Sequence, residues 1–449
     1  MTDTTRATAH VRTGLRRRPV PGPDTTSWAP RGDEHDDGAL PTGEASPSAA
    51  VPGADAAHDA AGNGARGGAD AEGGIGVVRE KPRRGALAAA GSPTVRPPAA
   101  AHLSDADVAE LGRELDAVRD SVLARRGASD AAYIRRVIKL QRALEVAGRG
   151  ALILGGRNKF AWIAGTALLS GSKIIENMEI GHNVLHGQWD WMRDPDIHST
   201  TWEWDFVTPA RSWQHTHNDL HHRWTNVVGL DKDVGYNLLR MDEEQPWKPV
   251  NLLNPVFNAV LAPVFEWGIA IYDLEIAEVK EGKKPKSELF KDLRAMGRKA
   301  LRQFTKDYAA TPALAMVTGS GKQALYGTLT ANAVRNVWAH SVIFCGHFPE
   351  GAETFTEEMV EGETRGDWYV RQMIGSSNIS GSKFMHFMTG NLSHQVEHHL
   401  FPDLPSNRYA EVAPQVRDIC RRYGLPYNTG PLLKQVGSAW GKVFRLALP

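Results

Sequence analysis

Cysteine is nearly missing from this chain: 449 residues contain only Cys345 and Cys420. That excludes a disulfide framework and any cysteine-rich zinc or iron–sulfur cluster, and it fits a reduced, cytoplasm-facing protein. A surplus of charge is missing too. Lys and Arg total 52 and so do Asp and Glu, which leaves no broad basic footprint for nucleic acid. Clean hydrophobic runs are a third absence. A bilayer core wants about 20 apolar residues per helix, and no stretch here is an unbroken example. Aromatic residues are almost lacking from residues 1–101, where Trp28 stands alone among Ala, Gly, Pro and charge. Such a segment buries too little apolar surface to offset its chain entropy and reads as a disordered tail. No continuous apolar segment follows Arg16, Arg17 and Arg18, so they do not open a secretory signal. With Arg83 and Arg84 they favour a cytoplasmic N-terminus for a chain whose later segments enter a membrane.

The folded part is expected over residues 102–449, beginning with amphipathic helices across 104–150. Ser104 can cap a helix with Asp107 three residues on, and Val108, Leu111, Leu115, Val118 and Val122 make one apolar stripe. A second helix is expected after Gly127-Ala-Ser129, carrying Ile134, Val137 and Ile138 beside Arg135, Arg136 and Lys139. Moderately apolar stretches then cover 138–154, 160–170, 308–317 and 324–346. The turn-like Gly155-Gly-Arg-Asn158 and Thr318-Gly-Ser-Gly-Lys322 separate them pairwise. The latter is no phosphate loop, because Met316 and Gln323 stand where that motif needs glycine and Ser or Thr. The Lys- and Arg-rich stretch 273–306 reads as cytoplasmic, so the apolar residues 251–272 are expected along the membrane interface. The fold class expected is an all-α integral membrane protein with about four transmembrane helices in two hairpins.

The histidines are what the sequence has in abundance. Of 17, 13 fall between residues 182 and 399. His182-Asn-Val-Leu-His186 places two imidazoles at i and i+4, on one face of a helix. His217-Asn-Asp-Leu-His221-His222 and His394-Gln-Val-Glu-His398-His399 add two adjacent pairs, whose members point about 100° apart and so can serve two metals. One spaced pair arises readily without a metal; two HxxxHH runs with a third box and His347 do not. Imidazole suits zinc, copper, iron and nickel. The zinc-protease helix needs a glutamate where Asn183 stands, and a zinc site takes four ligands where this chain offers eight or more. Carboxylate-bridged diiron proteins use two Glu-x-x-His motifs, and only Glu179-Ile-Gly-His182 occurs. A histidine-rich, carboxylate-poor dinuclear iron site remains.

The order of the boxes resembles the membrane fatty acid desaturases: HxxxH, then Hx(2–3)HH, then [His/Gln]xxHH. The flanking words strengthen the likeness: Trp213-Gln-His-Thr-His-Asn218, His221-His222-Arg-Trp-Thr-Asn226, Glu397-His-His-Leu-Phe-Pro402, Gly187-Gln-Trp-Asp-Trp191 and Gly346-His-Phe-Pro349. They run through about residues 150–430 and are most similar to bacterial acyl-CoA or acyl-lipid desaturases.

That resemblance implies a cytoplasmic helical cap holding two iron ions, with O2 as co-substrate. Its ligands would be His182, His186, His217, His221, His222, His398 and His399, joined by His347 with His340 as its rival. The family's first box-three position is Gln395 here; His394, one residue earlier, is kept as a ligand. His198, His215 and His386 are expected outside the ligand set. Asp190, Asp219, Glu397 and Asp403, next to the boxes, are the expected hydrogen-bond acceptors for the imidazoles. Trp189, Trp191, Trp202, Trp204, Trp213 and Trp224 are expected to line an acyl channel or the interfacial belt. The activity implied is O2-dependent introduction of a cis double bond into a long fatty acyl chain, delta-9 on an acyl-CoA, with an acyl-lipid as the other carrier. No His-Pro-Gly-Gly haem motif is present, so electrons would come from a separate ferredoxin or flavin/iron–sulfur reductase using NAD(P)H. Residues 279–306 offer that donor a basic face. The protein would be multi-pass in the cell membrane, its active site facing the cytoplasm. Alternatives are a diiron membrane hydroxylase acting on a lipid or alkane, and a non-catalytic membrane metal-binding protein.

Overall fold

In the computed structural model residues 95–449 are described; the expected tail lies outside them as far as residue 94. Pro98–Ala100 already form a 3-10 turn, with Ala100 buried.

Helix α1 (Asp105–Leu123) starts at the expected capping box, Ser104 accepting from the Asp107 backbone N–H and Asp107 from that of Ser104. Its stripe of Val108, Leu111, Leu115 and Val122 is buried against Tyr369, Tyr409, Val412 and Val416, the core of the cap. Helix α2 (Ala128–Gly155) is 28 residues long, about 42 Å at 1.5 Å per residue. Helix α3 (Lys159–Ile175) begins where the Asn158 side chain accepts from the Phe160 and Ala161 N–H groups.

The two expected hairpins are present as helical hairpins. α2 and α3 turn at residues 156–158; Thr311–Met316 and the long helix Gly321–His347 turn at 317–320. They pack side by side into one four-helix bundle. Small residues make the close crossing between α2 and α3: a Cβ at Gly148 would meet the Leu169 backbone N at 2.7 Å, and one at Gly165 the Gly148 carbonyl at 3.0 Å. This is how helices approach when small side chains line their seam. Outward, the bundle exposes Leu154, Phe160, Ile163, Leu314, Val317 and Leu329.

Charged groups inside the bundle are paired, as burial demands. Lys173 donates to Asp307 at 2.8 Å and Asp205 at 3.2 Å, Arg149 donates to Asp307 at 2.7 Å, and Arg335 pairs with Glu266. The segment preceding box two is thereby tied to α3.

Among the described residues, one helical stretch is by itself long and apolar enough to cross a membrane, Pro249–Lys280. It is the stretch that the sequence lays along the interface. It bends at the 3-10 turn Ala262–Val264, between helices Asn254–Leu261 and Phe265–Tyr272. The basic stretch that follows is itself helical, Lys286–Phe304, and runs through a π turn, Thr305–Ala310, into the bundle. Among the described residues the regular structure is helical apart from a single parallel bridge between Val227 and Phe355 and one parallel pair, β1 (Asn378–Ser380) and β2 (Thr429–Pro431), with Ile379 opposite Gly430. That pair closes the cap just before box three.

Candidate metal centre

Box two does not lie on ordinary α-helix, and box one opens at the last residue of a π turn before continuing as α-helix over Asn183–Leu185. α3 widens into a π turn over Glu176–His182, and box two occupies another, Gln214–His221. In a π turn the backbone bond runs i→i+5, and the His222 N–H indeed donates to the His217 carbonyl. The wider turn brings His217, His221 and His222 round to one side: His217 stacks with His221 at 5.1 Å between ring centroids and meets His222 edge-on at 4.9 Å. Box three is carried by the helix Gln395–Leu400, and His347 ends the long helix from Gly321.

These elements converge on two adjoining all-histidine groups. His182, His186, His217 and His398 form one, and His221, His347 and His399 the other; within each group the ligand atoms lie within 4.8 Å of one another. A third group, His217, His221 and Asp233, takes one histidine from each. The Nε2 atoms of His182 and His398 are 3.2 Å apart. His222 stands between the groups, 4.7 Å from His186 and stacked on His399 at 4.3 Å. Among the described residues both its ring nitrogens lack a protein partner, as do the Nε2 atoms of His186, His217 and His399. A buried imidazole nitrogen without a partner costs free energy, and so many in one place mark a site built for something they bind. Burial, with the charge of neighbouring imidazoles, holds His217, His222, His398 and His399 well below the usual histidine range. They are neutral there, the form that binds a metal. For His221 burial also opposes charge, but Asp231 and Asp233 outweigh it and push the group up to about 9.

Partners outside the cluster fix the rings. His221 Nδ1 meets Asp231 at 2.9 Å, His399 Nδ1 the Gln372 amide oxygen at 3.0 Å, and His398 Nδ1 the Tyr409 hydroxyl at 3.2 Å. Tyr409 donates to the Phe401 carbonyl, so it accepts from His398. None of the four carboxylates expected in this role serves it. Asp190 accepts from Ser199, Asp219 lies 3.4 Å from the exposed His215, Glu397 accepts from Tyr427 and Asn378, and Asp403 pairs with Arg119. Adjacency to a box put them on the wrong side of the chain. Asp231, Asp233, Gln372 and Tyr409 went unread; only the Asp-Lys-Asp run shortly after box two carried a signal.

Eight of the nine expected ligands are brought together, and His394 is not. The box-three helix starts at Gln395 and His394 has non-helical backbone (φ −100°, ψ 55°), so it does not share a face with His398. Its ring stacks on His386 at 4.6 Å. Gln395 takes the place instead, its amide 3.0 Å from His347 Nε2. His340 is outside the cluster, bonded to Asn258 at 3.0 Å. His198 stays near Asp190 at 3.7 Å. Glu179 turns from His182 to accept from Tyr133, Ser406 and Asn391. Of the tryptophans, Trp213 lies flat on His217 at 4.4 Å and edge-on to His182 at 5.1 Å, with Trp204 behind it. Trp224 belongs to the cap core, and Trp189 is buried beside Tyr133.

Fold and site together define a helical protein whose hairpins carry a buried all-imidazole centre of two adjoining groups. The family model described as fatty acid desaturase matches residues 160–431. The chain is 52% identical over 354 residues to an NADPH-dependent stearoyl-CoA 9-desaturase of Mycobacterium tuberculosis, covering 78% of this chain and 82% of that one. It is 24% identical over 280 residues to an sn-1 linoleoyl-lipid 6-desaturase of Synechocystis, covering 61% and 76%. A shorter likeness, 39% over 71 residues and 16% of each chain, links it to human fatty acid desaturase 3. The chain belongs to the fatty acid desaturase family and is an oxidoreductase of that family.

Proposed function

We infer that the protein introduces a cis double bond at the delta-9 position of a long-chain acyl-CoA, using two irons, O2 and electrons that start from NADPH. The observation that carries this is the pair of imidazole groups with their unpartnered ring nitrogens. The donor set fits iron: imidazole is among its ligands, and no thiolate lies in either group to favour a softer metal. His182, His186, His217 and His398 would hold one iron and His221, His347 and His399 the other, with His222 between them. The irons supply the O2 chemistry needed to take two hydrogens from unactivated methylene carbons.

The protein's own part is orientation and exclusion of water. Asp231, Gln372 and Tyr409 set which nitrogen of His221, His399 and His398 faces the centre. Trp213 closes one side of the first group with an apolar ring. Burial of seven of the eight imidazoles, with His217 only slightly exposed, keeps bulk water from the reacting carbons, and a preorganised dry site strengthens every polar interaction within it. The acyl-CoA assignment follows the mycobacterial relative, which covers most of the chain. The four helices are read as crossing the cell membrane, their exposed leucines, valines and phenylalanines facing lipid, with the cap in the cytoplasm. The electron donor is a separate protein, and the basic helix Lys286–Phe304 is the face offered to it.

Expression in a desaturase-deficient host, with mapping of double bonds in its fatty acids, tests the reading. Delta-9 monounsaturated chains are expected; hydroxylated products alone would overturn it.

A further inference from the structure

Asp231 and Asp233 follow box two in sequence and return to it in space. The Asp231 side chain is fully buried. Its Oδ2 accepts from His221 Nδ1 at 2.9 Å and from the Asn226 backbone N–H at 2.7 Å, while Oδ1 accepts from the Asp233 N–H at 2.9 Å. Asp233 is anchored from the other side by the Tyr272 hydroxyl, which donates to its Oδ1 at 2.6 Å. That leaves Asp233 Oδ2 facing two imidazoles, 3.6 Å from His221 Nδ1 and 3.9 Å from His217 Nδ1.

These two histidines belong to different groups, His217 to the first and His221 to the second. Among the described residues, no other clustered imidazole has a carboxylate within 4.0 Å. The approach is through Nδ1, behind the rings, and His217 Nε2 is left unpartnered. Asp233 is therefore placed to orient ligands rather than to act as one. At 3.6 and 3.9 Å the Asp233 carboxylate is beyond hydrogen-bond reach of either ring, so it acts through its charge, and a negative charge behind an imidazole raises its basicity toward metal. The geometry points to Asp233 as a positioning residue shared by the two metal sites, one carboxylate that sets an imidazole of each and so ties their affinities together. Asp231, which touches His221 alone, serves the second site only.

This rests on the two-metal reading above, and the test separates the two. The full chain is purified with iron, and iron release to an excess of chelator is followed together with iron content. Asp233→Asn is expected to speed the loss of both irons in one phase, by the about 10–100-fold typical of a lost outer partner. Asp231→Asn gives two phases, one fast and one near the wild-type rate. Asp233→Glu, which keeps the charge, restores slower release. Should Asp233→Asn fold poorly, Tyr272→Phe frees the carboxylate from its anchor and shifts both irons in the same direction. Release of one iron only, or wild-type rates from Asp233→Asn, would overturn the shared role and leave the metal reading intact. A wild-type chain that holds no iron would overturn both.

Discussion

The imidazole of His222 lies flat on that of His399, with centroids 4.3 Å apart and planes within 14°. The contact joins box two to box three at the seam between the two histidine groups. Among the described residues neither nitrogen of His222 has a protein partner, so the ring is held by stacking and keeps its one free lone pair for a metal. His222→Ala is expected to remove activity and at least one iron. His394→Ala, whose ring stacks on His386 outside both histidine groups, is expected to keep both. Metal per chain and unsaturated product, measured on the same preparations, decide it.

Tyr409 accepts from His398 and also receives the Gln188 amide at 3.0 Å. Tyr409→Phe preserves the ring and removes that hydroxyl. Activity should drop about 10–100-fold, as when other outer partners of metal-bound histidines are lost. Stability should fall by only about 1 kcal/mol per hydrogen bond removed. Parallel assays of turnover and thermal unfolding separate the two effects; a drop in melting temperature without loss of turnover would show the hydroxyl to be structural.

The bundle seam yields a paired test. Gly148 leaves a side chain only 2.7 Å from the Leu169 backbone, whereas Gly150, two residues on, has open space. Gly148→Leu is expected to abolish folded yield and Gly150→Leu to leave it near wild type, by size-exclusion profile in detergent. Equal behaviour of the two would contradict the crossing described.

Asp130 carries a pH dependence. Its carboxylate accepts from Arg408 at 2.8 Å, from Asn407 at 2.9 Å and from the Gly127 N–H at 3.0 Å. Burial raises its pKa, but these bonds outweigh burial and hold it below the usual carboxylate range. A depressed carboxyl contributes stability that is present above its unfolded value, about pH 3.9, and is lost as pH falls through the folded value. Asp130→Asn should therefore lower the melting temperature at pH 7, by about 1.5–3 kcal/mol of charged hydrogen bonding. The difference from wild type should shrink as pH drops below 4. A difference that does not change with pH would refute the assignment.

The histidine boxes were legible because a metal site asks for a local spacing, and spacing is what a sequence displays. His182 and His186, or His221 and His222, announce themselves within a few residues. The hairpins were legible for a similar reason, since Gly155-Gly-Arg-Asn158 is turn chemistry between apolar runs. The ring partners were not. Gln372 and Tyr409 reach His399 and His398 only once the cap has packed, and four carboxylates chosen by adjacency face elsewhere. His394 misled because the i, i+4 argument presumes a helix that begins one residue too late to include it. The π turns were hidden as well: a 3.6-residue period assumed for box two conceals why three of its imidazoles face one way.

Metal content tests the central claim most directly. Purified from cells grown with iron and active on an acyl-CoA, the chain should contain about two irons, as two imidazole groups of this kind predict, and little zinc. Removing His217 should deplete the site. One metal per chain, zinc in place of iron, or full iron retained in His217→Ala would contradict the account.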